Sequence, residues 1–190
     1  MGLRLALVSM PGDGKTTVSR LLARQLHVPF VDADHEAEQR LGMGIKAFFE
    51  AEGEAAFRDV EQAVIADLAG GRPMVLATGG GVVLREANRE ALHRAFTVVY
   101  LRSTPEELYR RLRHDRQRPL LQVDDPLRKL RDLHRERDPL YRKTAHFVIE
   151  TGRPSVHGLA NMILMQLELA GRVDPMRVPS PVDPGALPNA

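Results

Sequence analysis

The sequence predicts an α/β protein built on a five-stranded parallel sheet flanked by helices, and three observations carry that expectation. Short apolar runs alternate with longer amphipathic stretches, the pattern of βαβ units. Each run is rich in Val, Leu, Ile or Phe and stops at polar or glycine punctuation, as strands buried on both faces do. At 190 residues, 43% hydrophobic and 27% charged, the chain has the length and apolar content for one such domain and little more.

Taken in order, the strands are expected at 3–9, 29–32, 74–78, 97–101 and 146–150. Helical periodicity fills the gaps at 15–26, at a pair over 34–41 and 45–70, then at 84–95, 105–114, 126–137 and 154–169. Between 114 and 126 the pattern fails, and a charged stretch with Pro119 and Pro126 reads as a loop over a site or as a plain surface connection. From Gly171 onward, five prolines in twenty residues with few apolar anchors describe a tail that does not order itself. One folded domain over 1–170 and a proline-rich tail over 171–190 follow.

Composition removes several classes of function. No apolar stretch approaches the roughly 18 residues of a membrane span, and the apolar start at Leu3 contains Arg4 and runs into a glycine turn, so neither a membrane role nor a signal peptide is expected. Without cysteine there is no disulfide, thiolate metal site or thiol nucleophile, in keeping with a cytoplasmic protein. Net charge is +2, but it is unevenly spread: residues 32–67 carry ten acidic and three basic side chains, residues 102–143 thirteen basic and eight acidic. That asymmetry suits a phosphate-rich ligand, or merely a solvated charged helix, better than a continuous nucleic-acid track.

The strongest local signal is Ser9-Met-Pro-Gly-Asp-Gly-Lys-Thr16, after a predicted strand and before a predicted helix. In such a loop Gly12 and Gly14 let backbone N–H groups wrap a phosphate, and the helix adds its positive end. Lys15 then reaches the β/γ oxygens, and the Thr16 hydroxyl can ligate Mg²⁺. One departure from G-x-x-x-x-G-K-[ST] is Ser9 at the first glycine position, which matters if positive φ is needed there. Asp32 and Asp34, at the end of the second predicted strand, would share one face at the ligand edge of the sheet. Asp32 could then hold Mg²⁺ and Asp34 align or deprotonate an acceptor alcohol; alternatively, Asp34 is only the cap of the next helix. Gly79, Gly80 and Gly81 end the third strand at the same edge and remove side chains where a ligand must lie against backbone. Arg58, flanked by Glu54 and Glu61 at helical spacing, is either a fixed ligand-binding guanidinium or a surface ion pair, and spacing alone favours the second.

Together S-M-P-G-D-G-K-T-T, V-D-A-D, G-E-A-A-F-R, A-T-G-G-G, R-P-L-L and R-D-P-L-Y-R resemble, in order and spacing over residues 3–154, the motif set of shikimate kinases. The resemblance implies a P-loop fold of the nucleoside monophosphate kinase type, with an acceptor-binding helical region at about 33–61 and a lid at about 113–125. It implies ATP and Mg²⁺, with phosphorylation of the 3-hydroxyl of shikimate in aromatic amino acid biosynthesis. The partner it implies is a small molecule, shikimate; from charge and composition neither nucleic acid nor membrane is expected, and a monomer is the default. By this resemblance Asp34, Arg58, the glycines 79–81 and Arg137 bind the acceptor, with Lys15, Asp34 and Arg118 catalytic. Gly12, Asp13, Gly14, Lys15, Thr16, Thr17, Arg111, Arg118 and Arg153 serve the nucleotide, and Thr16 and Asp32 the metal. The pattern differs at Ser9 and at Ala37, where the family has a larger aliphatic residue. Rival readings are a small-metabolite kinase acting on gluconate and a non-catalytic nucleotide-binding module.

Overall fold

The computed structural model describes residues 2–12, 14–114, 122–152 and 155–174. Five strands form one sheet, β1 (Arg4–Val8), β2 (Phe30–Asp32), β3 (Met74–Ala77), β4 (Thr97–Arg102) and β5 (Phe147–Glu150), in the order β2-β3-β1-β4-β5. Every pairing is parallel, with Ala6 opposite Leu76 on one side of β1 and Val98 on the other. The central strand shows why the apolar run is continuous. Ala6 and Val8 face one core layer and Leu5 and Leu7 the other, so both faces of β1 are covered.

The helices are α1 (Lys15–Gln25), α2 (Ala33–Leu41), α3 (Ile45–Glu52), α4 (Glu54–Ala69), α5 (Glu86–Ala95), α6 (Pro105–Leu112), α7 (Pro126–Thr144) and α8 (Val156–Leu169). Among them, α1 and α8 pack on the Leu5/Leu7 face, whereas α4, α5 and α7 cover the Ala6/Val8 face with Phe57, Ile65, Leu92, Leu130 and Tyr141. α6 begins with a capping box in which Thr104 and Glu107 satisfy each other's backbone N–H.

Three boundaries differ from expectation. The helix expected over 45–70 is two helices broken at Gly53, whose φ of 85° and ψ of 170° belong to a region that only glycine enters without strain. The helix expected to stop at 137 runs on to Thr144, although Pro139 removes one rung of its hydrogen bonding. Tyr141 and Thr144 are buried beyond that proline, and their packing outweighs the lost bond. The helix expected from 84 starts as a separate 3₁₀ turn, Val82–Leu84, before α5. The stretch expected as tail from 171 is packed at its start, where Val173 lies on the core and the Arg172 guanidinium donates to Thr97 Oγ1; residues 175–190 lie outside the described residues. No helix among the described residues is long and apolar enough to cross a membrane.

Candidate active site

The carboxyl ends of β1, β2 and β3 open on one edge of the sheet, where a parallel α/β fold places its ligands. Gly12 (φ 92°) and Gly14 (φ 68°) carry the chain from β1 into α1, and no acidic side chain sits in the first turn of α1. Its free N–H groups and positive end are therefore available to an anion. Lys15 Nζ lies 3.4 Å from the Ser9 carbonyl oxygen and 3.2 Å from Ser9 Oγ. Thr16 and Thr17 follow in the first turn.

Beside this loop is a cavity of about 460 Å³ lined by Gly12, Gly14, Val18, Arg110 and Arg111 with Thr151 and Gly152. Arg111 Nη2 donates to Thr151 Oγ1 (3.2 Å) and to the Gly152 carbonyl (3.1 Å), tying α6 to the turn after β5. Arg111 thus lines the cavity beside the loop, and Arg110, which the motifs do not single out, lines the same wall. Asp13, Arg118 and Arg153 lie outside the described residues, as does most of the expected lid.

Asp32 and Asp34 do not share a strand face. β2 ends at Asp32, and Asp32 is the cap of α2: its Oδ1 accepts the N–H groups of Asp34 (3.0 Å) and His35 (3.3 Å). The capping role that sequence offered to Asp34 therefore belongs to Asp32, whose Oδ2 is the oxygen left to serve a cation. Asp34 stands in the first turn of α2, turned toward the glycine run. Burial pushes its carboxyl above the ordinary aspartate value; the nearby Lys15 and Arg58 pull it down, while Asp32 and Glu38 push it further up.

A second cavity, of about 510 Å³, adjoins the loop at Pro11. Asp34, Arg58, Glu61, Gly79, Gly80, Gly81 and Arg137 all line it, so residues 58 and 137 converge as the resemblance requires. Arg58 is no surface ion pair. Its side chain is 12% exposed, its Nη1 bonds Glu61 at 2.9 Å, its Nη2 bonds Glu54 at 3.1 Å, and the rings of Phe57 and Phe49 lie beneath it at 5.4 and 5.9 Å. Glu61 is only 4% exposed, and its carboxyl is raised by burial against the pull of Arg58 and Arg137. Arg137 Nε is buried with no hydrogen-bond partner among the described residues.

The three glycines work differently from expectation. A side chain added at Gly79 would meet Asp34 Oδ1 at 2.6 Å, one at Gly80 would meet Pro11 Cγ at 2.7 Å, and one at Gly81 would fall on the Arg58 guanidinium. The space they leave is filled by the protein's own acid, loop proline and arginine, which they bring together. Tyr141 OH donates to the Gly80 carbonyl at 2.5 Å and holds this turn against α7. Glu61 is the site residue that spacing left as an ordinary ion-pair partner; its burial, invisible in the sequence, gives it its place. Phe49, Leu133 and Glu136 also line the cavity, the last two on the α7 face of Arg137.

Among the described residues no three His, Asp or Glu side chains are grouped to hold a metal. Mg²⁺ beside a nucleotide takes one or two protein oxygens and completes its shell with phosphates and water, and Thr16 and Asp32 are donors of that kind.

The family model for shikimate kinase matches residues 11–168. A shikimate kinase of Paracidovorax citrulli is 57% identical over 182 residues, 94% of this chain and 97% of that protein. One of Cupriavidus pinatubonensis is 58% identical over 90% of this chain and 89% of its own length. Among solved structures, the shikimate kinase from Acinetobacter baumannii in complex with shikimate superposes with a TM-score of 0.84 at 45% identity, covering 92% of this chain and 97% of that one. The enzyme from Aquifex aeolicus gives 0.79 at 32% identity, over 89% and 98%. With that family model matching residues 11–168 and relatives 57–58% identical over nine-tenths or more of its length, the chain belongs to the shikimate kinase family.

Proposed function

We propose that the protein transfers the terminal phosphoryl group of ATP to the 3-hydroxyl of shikimate, giving shikimate 3-phosphate and ADP. The observation that carries the reading is the pair of arginines, from α4 and α7, lining one cavity that adjoins the phosphate loop at Pro11. A carboxylated ring fits that cavity, because a guanidinium grips a carboxylate in two-point fashion and a lysine does not.

In this reading the acceptor oxygen attacks the γ-phosphorus as the bond to the β-bridging oxygen breaks, and ADP leaves with that electron pair. Asp34 accepts the hydrogen bond of the attacking hydroxyl and, near both Lys15 and Arg58, aligns the alcohol with the nucleotide. The upward shift of its carboxyl brings it nearer to the strength a proton acceptor needs at neutral pH. Lys15 with the N–H groups of Gly12, Asp13, Gly14, Thr16 and Thr17 holds the phosphates, and Arg111 with Arg153 flanks the base. Arg118 meets charge that develops on the transferred group. Mg²⁺, held through Thr16 and Asp32, would neutralise phosphate charge. The protein works as a cytoplasmic monomer of one domain, with neither nucleic acid nor membrane as partner.

The test is a coupled assay of ADP release with shikimate and with gluconate side by side. Turnover with shikimate alone is expected; turnover with gluconate, or nucleotide binding with neither, overturns the reading. Asp34→Asn then separates alignment from proton removal. A loss of about 10²–10⁴-fold in kcat marks a general base, and a much smaller loss marks alignment alone.

A further inference from the structure

Ser9 stands where G-x-x-x-x-G-K-[ST] has its first glycine, and the structure shows both why a side chain is tolerated there and what it does. The position needs no left-handed backbone: His27 is the only non-glycine residue with positive φ among those described. The side chain is wholly buried, at 0% exposure. Its hydroxyl proton is committed, since Oγ donates to the Met10 carbonyl at 3.0 Å. A lone pair of the same oxygen faces Lys15 Nζ at 3.2 Å, alongside the Ser9 carbonyl oxygen at 3.4 Å. One residue therefore presents two acceptors to the lysine ammonium, and a glycine would present one.

We infer that Ser9 is a positioning residue for nucleotide binding, its hydroxyl holding the Lys15 ammonium at the mouth of the phosphate loop before nucleotide arrives. The inference rests on the reading of Lys15 as a phosphate ligand. An ammonium has three N–H donors, and both acceptors of Ser9 meet it on one side. Lysine sits on a long flexible stem whose freedom is costly to lose, and a head already bonded has lost it beforehand. Because the Ser9 proton points at Met10, the hydroxyl cannot rotate to oppose the ammonium with its own hydrogen.

The experiment measures ADP binding by calorimetry, together with KM and kcat for each substrate, in Ser9→Ala, Ser9→Gly, Ser9→Thr and Ser9→Val. With the hydroxyl gone, Ser9→Ala and Ser9→Gly are expected to weaken ADP and raise KM for ATP by about 3- to 10-fold. The acceptor KM stays close to that of the starting chain. Thr and Val add the same branch but only Thr keeps the hydroxyl, so Ser9→Thr is expected to bind ADP more tightly than Ser9→Val by a similar factor. The nucleotide-free protein supplies a further readout: a protected Lys15 ammonium signal in ¹⁵N NMR, lost in Ser9→Ala. Unchanged ADP affinity in Ser9→Ala or Ser9→Gly, or equal affinity in the Thr and Val variants, overturns the inference. Lys15→Met tells the two failures apart. If it leaves ADP affinity intact, the phosphate-site reading falls and Ser9 with it; if it weakens ADP while Ser9→Ala does not, the role of Ser9 alone falls.

Discussion

The two sides of the crevice are built from different materials. On the nucleotide side, residues 9–17 are contiguous, and what they offer is mainly backbone N–H at the start of α1, with the lysine held by its own loop. On the acceptor side, Asp34, Arg58, Glu61, the turn at 79–81 and Arg137 come from α2, α4, the loop after β3 and α7, and they offer charged side chains withdrawn from water. A backbone site draws on groups that every residue carries, so it depends on local conformation. A side-chain site depends on distant elements meeting, and each buried charge there is costly unless its partner is present. Substitutions on the two sides should therefore fail in different ways.

The largest expected effect is the removal of an acceptor arginine. Arg58→Ala leaves Glu61, 4% exposed, without its 2.9 Å partner, and Arg137→Ala removes the second guanidinium that lines the cavity. Each should cost about 2–5 kcal/mol of acceptor affinity while ATP affinity changes little. Arg58→Ala should also lower Tm, because Glu61 is then buried unpaired, whereas Arg137→Ala should not. Titration of each variant with shikimate and with ADP checks both halves. A comparable loss of ADP affinity would mean that the two sides are one coupled unit.

Next come the glycines, where the two sides part most clearly. Gly79→Ala forces Asp34 away from its place, since the new methyl would lie 2.6 Å from Oδ1. A displacement of this order at an aligning group costs about 10²-fold in rate. At Gly14 there is open space for a methyl, but its φ of 68° is left-handed, so Gly14→Ala carries a backbone penalty of about 1–2 kcal/mol. Steady-state kinetics should show the first variant failing in kcat with ATP binding intact, and the second failing in ATP binding. A kcat defect in both would erase the distinction.

The same contrast explains what the sequence made legible. The phosphate loop could be read because its whole chemistry lies within nine consecutive residues between a strand and a helix. Arg58 could not be read from spacing, because Glu54, Arg58 and Glu61 look identical on a solvated helix and on one whose guanidinium rests on Phe49 and Phe57. Its burial against those rings is what sets it apart from a solvated ion pair. Asp32 and Asp34 were expected on one face because the strand was taken to continue in alternation, whereas α2 starts at Ala33 directly after it, which makes Asp32 the cap. Pro139 misled in the opposite direction, since a local rule against helix gave way to the burial of Tyr141 and Thr144. Long-range packing decided all of these, and none of it is written in local pattern.

A subtler way to sharpen the comparison uses pH. Asp34 and Glu61 both have carboxyls raised by burial from ordinary values of 3.8 and 4.5. Between the ordinary and the raised value the folded chain binds more protons than the unfolded one, so their contribution to stability falls as pH rises through that window. Asp34→Asn should therefore be more stable than the starting chain at pH 7 even as it loses activity, with the difference shrinking toward about pH 4. Each ~1 kcal/mol so relieved raises Tm by about 2–4 °C in a chain of this size. Thermal melts of both proteins across pH 4–7 test it. A less stable Asn variant at pH 7 would show that attraction from Lys15 and Arg58 outweighs desolvation. Variants on the nucleotide side that carry no buried acid should show no such pH-dependent gain.

The smallest effect is expected at the tie between the two halves of the acceptor site. Tyr141 is fully buried, stacks on Tyr100 with ring centroids 4.9 Å apart, and bonds the Gly80 carbonyl one helical turn beyond Arg137. Tyr141→Phe keeps the ring and its packing, so only the hydroxyl and the satisfaction of that carbonyl are lost, at about 0.5–1.5 kcal/mol. Since the bond fixes the glycine turn relative to the helix carrying Arg137, the loss should appear as a rise of about 2- to 3-fold in acceptor KM with ATP KM unchanged. A variant with lowered Tm and both KM values untouched would make Tyr141 a core residue only. A rise confined to the acceptor would show that α7 and the turn after β3 must be held in register for Arg137 and Asp34 to address the same molecule.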